Sequence, residues 1–281
     1  MNFNKKWAVC TALCSMMSIQ GGASIAKYLF HLLGPSGAVT LRVGIAGILL
    51  MLITRPALLK FTRKEWLCIL VYGISIGGLN LTFYYGIQRI PLGIGVAVEF
   101  IGPLGVALFS SRRILDFLWA AFAAAGILLI VPWNGSGCDI IGLLFAAAAG
   151  VFWALYIISA GKISGIMKST DAVACGMCVA ALIALPLSFA SGDMFKLNLH
   201  LLLLGAGVAV FSSALPFTLD LMTMRKISPK TFSILQSLQP AFGALSGLVF
   251  LGEVLTFIQW LSIVFVITAS AGATLTAPAK K

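Results

Sequence analysis

Charge is what this 281-residue chain has little of: 10% of its residues are Asp, Glu, Lys or Arg, against about a quarter in soluble domains. At 60% hydrophobic residues and a mean hydropathy of +1.06, it cannot cover a surface with side chains that water accepts. A soluble globular domain is excluded. Acidic groups number only eight, dispersed along the chain, and the two histidines are far apart. A membrane enzyme acting on lipid needs acids, histidines or a nucleophile clustered at one membrane face, so that class remains a remote alternative. Nothing resembles a nucleotide-binding loop, which argues against ATP as an energy source. Cys175 and Cys178 form a CxxC inside an apolar run, with no second pair or histidine to complete a zinc site. No metal and no cofactor is expected. His31 and His200 fall near the ends of apolar runs and are expected to face water.

What the chain has instead is apolar stretches along its whole length, each about 18 to 23 residues, enough to cross a hydrocarbon core of about 30 Å as a helix. Ten are read: 7–28, 37–54, 66–87, 91–110, 115–132, 140–160, 171–190, 199–219, 230–250 and 257–276. The expected fold is an all-α integral membrane protein of ten transmembrane helices. Lys5-Lys6 ahead of the first run resemble a signal peptide, but the run is long and is taken as the first membrane helix. The net charge of +11 is unevenly placed. One set of termini and loops carries fifteen Lys and Arg, from Lys5 through Arg112-Arg113 to Lys281, and the opposite set only Arg89 and Lys196. Basic residues mark cytoplasmic loops, so both termini are expected in the cytoplasm. The excess charge is an insertion code rather than a nucleic-acid surface.

A shift of 137 residues aligns Ser75 with Ser212, Arg89-Ile90 with Lys226-Ile227, Glu99 with Gln236 and Pro103 with Pro240. The chain therefore divides into a first repeat, 1–138, and a second, 139–281, of five helices each. An odd number of helices inverts the second repeat in the membrane. Inverted repeats with a site between them are a mark of secondary transporters.

Against this apolar background, a few polar side chains stand out. Glu99 lies about eight residues into the fourth segment, near mid-membrane at 1.5 Å per residue. Intramembrane acids face the protein interior and mark solute or proton pathways. A structural ion pair with Lys27 or Arg42 is the plainer alternative. In the first segment, Gln20, Ser24 and Lys27 share one face; Lys27 is placed to snorkel. Arg42 is expected to tie helix ends together. The third segment carries Gly73, Gly77, Asn80 and Tyr84 along one stripe, and the sixth offers Trp153 and Tyr156 one turn apart. Gln236 in the ninth, with Ser233 and Ser237 beside it, either touches solute or joins helices. Asp220 precedes Arg225 and Lys226, which suits a charge balance at a gate or a proton relay.

Four stretches, "SIQGGASIAK", "PLGIGVAVEFIGPLGVALFSSRR", "SSALPFTLDLMTM" and "LGEVLTFIQ", carry a family likeness. On them the chain resembles the EamA-like group of the drug/metabolite transporter superfamily, and within it the bacterial inner-membrane threonine/homoserine exporters. The resemblance implies two inverted five-helix repeats around a central cavity, and efflux of amino acids or related metabolites. It also implies that Glu99, Gln20 and Tyr84 occupy the polar places on cavity-lining helices. Drug exporters of other branches carry an acid in the first helix, where this chain has Gln20 and Lys27, so a small-multidrug mechanism is not expected.

The expected function is export of threonine- or homoserine-like amino acids by alternating access, coupled to protons. Glu99 binds the ammonium group or exchanges it for a proton, and Gln20, Ser24, Asn80, Tyr84, Trp153, Tyr156 and Gln236 surround the solute. Lys27 and Asp220 serve as coupling or gate residues. The alternative solute is drug-like, aromatic or nucleobase-like. The oligomeric state stays open. The charge asymmetry makes a testable statement: a phosphatase fused after Lys281 is inactive in cells and a fluorescent protein there is bright, whereas an active phosphatase overturns the assigned orientation.

Overall fold

The computed structural model describes residues 3–109, 114–130, 139–224, 236 and 238–276. Among these residues the regular structure is helical, with no strand. Helix α1 (Phe3–Thr54) contains the first two apolar segments, and α2 (Arg63–Ile87) the third. The fourth is split into α3 (Leu92–Glu99) and α4 (Ile101–Phe109). Next come α5 (Ile114–Ile130), α6 (Ile140–Ile163) and α7 (Ser169–Ala190). Helices α8 (Leu199–Ala209) and α9 (Leu215–Met224) are joined by a π-turn, Val210–Ala214. The chain ends in α10 (Gln239–Leu251) and α11 (Phe257–Thr276). Among the described residues five spans are long and apolar enough to cross a membrane: Leu32–Thr54, Arg63–Ile87, Ile140–Ile163, Ser169–Ala190 and Leu199–Thr223. Shorter apolar helices, Leu92–Val106, Gln239–Leu251 and Phe257–Ala269, accompany them. Phe211, Val249, Phe257 and Val264 are among the large apolar side chains on the outside, as a lipid-facing surface requires.

Local chemistry sets the ends and breaks. Thr62 and Glu65 close a capping box at the start of α2, and Asp139 accepts from the first backbone N–H groups of α6. Inside α1 the helix breaks at Gly34, whose φ of +68° is left-handed. Pro35 follows, so the chain restarts at once as a second helical arm rather than through a long loop. Asp193 holds the break: its carboxylate accepts from Ser36 Oγ at 2.7 Å and pairs with Lys196. Burial raises the Asp193 pKa, but hydrogen bonds from Ser36, Ser191 and Lys196 outweigh it and hold the carboxyl below the ordinary aspartate range.

Packing follows from these pieces. Helix α2 lies between α6 and α7, α1 runs along α7, α8 and α9, and α5 pairs with α11. The short helices α3 and α10, one from each half, pack directly on each other. A Cβ on Gly93 would stand 2.8 Å from the Ala244 backbone, so this crossing depends on glycine.

Gly34→Ala adds a Cβ 2.4 Å from Asp193 Oδ2 at a left-handed residue, and should cost on the order of 1–3 kcal/mol. Gly192→Ala, with a similar φ but open space around it, should cost less; thermal unfolding in detergent ranks the two. An Asp193 pKa depressed in the folded state adds stability above the ordinary aspartate range that is lost as pH falls through the folded value. Asp193→Asn should flatten the fall of wild-type stability below about pH 4.

Candidate functional site

A cavity opens where the breaks meet. It is lined by Ile19, Gln20 and Ala23 of the first arm of α1, Arg42 of the second, and Leu79, Asn80 and Phe83 of α2. Glu99, Trp153, Tyr156, Phe217, Asp220, Gln236 and Gln239 complete it. Both halves of the chain contribute.

Glu99 owes its place to Pro103. A proline has no N–H, so the carbonyl four residues back, that of Glu99, receives no helical hydrogen bond, and the helix turns at Phe100. Two glycines let α6 come against the break: a Cβ on Gly150 would lie 2.6 Å from Glu99 O, and one on Gly102 1.9 Å from Gly150 O. The Glu99 side chain is buried at 6% exposure. Among the described residues it has no hydrogen bond and no ion pair within 4 Å.

A second acid, Asp220 of α9, enters from the other half and accepts from Ser15 Oγ at 2.7 Å. Three amides run beside it. Gln20 Nε2 donates to Gln239 Oε1 at 2.6 Å, and Gln239 Nε2 to Gln236 Oε1 at 2.9 Å; Gln236 in turn interacts with Asp220. Gln20 Oε1 is buried without a hydrogen-bond partner among the described residues, and the Tyr156 hydroxyl lies toward that of Tyr72. Around these polar groups stand aromatic rings. Trp153 meets Phe100 edge-on at 5.3 Å and Tyr156 meets Phe217 edge-on at 5.6 Å.

Of the candidates read from the sequence, Gln20, Asn80, Trp153, Tyr156, Asp220 and Gln236 thus gather with Glu99 on one cavity. Three stand apart. Ser24 Oγ donates to the Gln20 carbonyl in its own helix. The Tyr84 hydroxyl accepts from Arg42 Nη1 at 2.7 Å behind the cavity wall. Lys27 pairs with Glu253 at 2.6 Å and also donates to Ile90 O. Arg225, Lys226, Ser233 and Ser237 lie outside the described residues. Arg42 and Gln239 line the cavity without having been chosen as site residues. Their signal was a lone arginine among apolar neighbours, and an amide directly before Pro240.

The two ends of the cavity are tied through α1. At one end Glu253 receives Lys27 on one oxygen and the Leu92 N–H, at the start of α3, on the other. The stretch LGEVLTFIQ builds this tie: Gly252 ends α10 with a φ of +67°, and the Glu253 N–H returns to Gly247 O. Thr256 and Gln259 then cap α11 reciprocally. At the other end Ser15 holds Asp220, and Thr11 meets Thr223 at 3.0 Å.

A polar cavity walled by interrupted helices from both halves of a bundle that contains membrane-length apolar helices is the architecture of a membrane transporter. The EamA-like transporter family matches residues 6–131 and 140–275, and the chain belongs to that family. It is 43% identical over 266 residues to the threonine/homoserine exporter RhtA of Escherichia coli (strain K12), covering 94% of this chain and 90% of that one. It is 42% identical over 270 residues to the protein of the same name from Salmonella typhimurium (strain LT2), covering 95% and 91%. A chain of known crystal structure superposes with a TM-score of 0.64 at 18% identity, over 97% of this chain and 98% of that one, and shares its fold.

Lys27 and Glu253 are each less than one-fifth exposed, so their pairing escapes most solvent screening. In a double-mutant cycle, Lys27→Met and Glu253→Gln should couple by about 1 kcal/mol or more in thermal unfolding. Additive effects would show that the two do not act together.

Proposed function

We propose that this protein exports threonine- and homoserine-like amino acids across the bacterial inner membrane by alternating access, in exchange for protons. The observation that carries this reading is Glu99: a buried carboxylate on the cavity with no hydrogen bond among the described residues, sharing that cavity with Gln20, whose Oε1 also lacks one. An ammonium group supplies what that carboxylate needs. So does a proton, and a site that takes either one, but not both, exchanges them. The names of the relatives support the substrate class, since both RhtA proteins are threonine/homoserine exporters. Gln20 Oε1 adds an acceptor for a further donor on the solute, such as a side-chain hydroxyl. Asn80 and Gln236 bring amides to the same space. Asp220, reached through the glutamine chain, is the second proton carrier in this scheme.

Alternating access requires the ties at the two ends of the first arm of α1 to release in turn. Lys27–Glu253 closes one side, and Ser15–Asp220 with Thr11–Thr223 closes the other. The charge asymmetry of the loops supports placing both termini in the cytoplasm, with the Lys27–Glu253 end outward. The aromatic walls at Phe83, Trp153, Tyr156 and Phe217 favour a second reading, export of aromatic or drug-like solutes.

Proteoliposomes loaded with threonine separate these. Wild-type protein should exchange external labelled threonine for internal threonine, and an imposed pH gradient should drive net transport. Glu99→Gln, which keeps shape and removes the charge, should lose the gradient-driven component by about tenfold or more while remaining folded. A variant that transports as wild type does would make Glu99 structural. Absence of threonine exchange in folded wild-type protein, with uptake of aromatic cations, would favour the second reading.

A further inference from the structure

Arg42 is 3% exposed and lines the cavity. Its three hydrogen bonds all go to neutral acceptors: Nε to Ser213 Oγ at 2.7 Å, Nη1 to the Tyr84 hydroxyl at 2.7 Å, and Nη2 to Ser212 O at 2.6 Å. The Tyr84 ring lies 5.4 Å below the guanidinium carbon. Among the described residues no carboxylate stands within 4 Å of it. A guanidinium has five N–H groups and stays charged, so one N–H on each terminal nitrogen is left over. Glu99, on the same cavity, acts on this charge through space without a hydrogen bond. A buried guanidinium whose hydrogen bonds all go to neutral groups is still costly, and a solute anion placed between the two completes the site.

The Ser212 carbonyl is available to Arg42 for a definite reason. Pro216 cannot donate to it, and the π-turn at Val210–Ala214 frees neighbouring backbone in the same place. Ser18 of the opposite arm of α1 takes the adjacent carbonyl, that of Phe211. The π-turn and Tyr84 therefore hold the guanidinium from two sides, with one N–H on each terminal nitrogen unused in a residue that lines the cavity. Side-by-side N–H donors are what a carboxylate accepts in bidentate fashion.

We infer that Arg42 is the anchor for the substrate carboxylate, so that the cavity selects α-amino acids as zwitterions, with the ammonium at Glu99 and the carboxylate at Arg42. This rests on the exporter reading above and adds to it a rule of selection. Amines of the same shape that lack the carboxylate leave Arg42 uncompensated and are rejected.

The test is competition against labelled threonine exchange in proteoliposomes by unlabelled threonine and by threoninol, in which a hydroxymethyl group replaces the carboxylate. Wild-type protein should prefer threonine by about a hundredfold, as expected for loss of a charge-assisted bidentate contact. Arg42→Gln should reduce that preference to within a few-fold, by weakening threonine and leaving threoninol unchanged. Arg42→Lys keeps the buried charge without the planar fork, folds where the glutamine variant does not, and should give an intermediate preference. Wild-type exchange inhibited equally by threoninol overturns the inference without any variant. So does a full preference retained in either Arg42 variant, which would leave the arginine as a purely structural tie. A folded wild type that exchanges no threonine defeats the exporter reading itself, a different failure from these.

Discussion

A carbonyl without a donor is tolerable in water and not in lipid, and the site depends on where the chain creates such carbonyls. Around the site three prolines do so, apart from Pro186 inside α7. Pro103, Pro216 and Pro240 each withhold a hydrogen bond from the residue four places earlier: Glu99, Ser212 and Gln236. All three of those residues are buried. Irregular backbone at membrane depth survives only where protein or a cavity surrounds it, so the breaks must face inward, and they carry their polar side chains with them. The glycine contact between Gly102 and Gly150 then closes α6 over the Glu99 break.

The pseudo-symmetry of the halves sharpens this. Glu99 before Pro103 and Gln236 before Pro240 are equivalent positions, one an acid and one its neutral isostere with an added donor. Two carboxylates at those positions would repel across one small space. Here Glu99 and Gln236 line one cavity, and the second acid, Asp220, is hydrogen-bonded by Ser15.

Much of the architecture was legible in the sequence. Hydropathy placed the spans, and the prolines that recur 137 residues apart mark where polar residues enter the cavity from each half. Most of the polar candidates share the cavity because each sits on a helical stripe, and a stripe of polar groups in lipid has only one place to point. What stayed hidden depended on partners remote in sequence or on backbone detail. Lys27 reads as a snorkelling cation until Glu253, 226 residues away, is brought to it. Arg42 reads as an end-tie if the second helix begins after a loop, but α1 restarts at Pro35 and so buries Arg42 two turns inside. The fourth segment reads as one helix because a proline breaks the helix a turn upstream of itself, at Phe100 rather than at Pro103.

The first arm of α1 has a mechanical consequence of its own. Thr11 and Ser15 fasten its lower end and Lys27 its upper end, separated by about 24 Å of uninterrupted rod at 1.5 Å per residue. A rod pivoting between two sets of catches behaves as a seesaw: the tilt that parts one set presses the other together. A cell that stores energy as a proton gradient loses that energy through any pore open at both mouths. In the exchange proposed above, protection against such a short circuit would lie in the stiffness of a single helix, before any solute has bound.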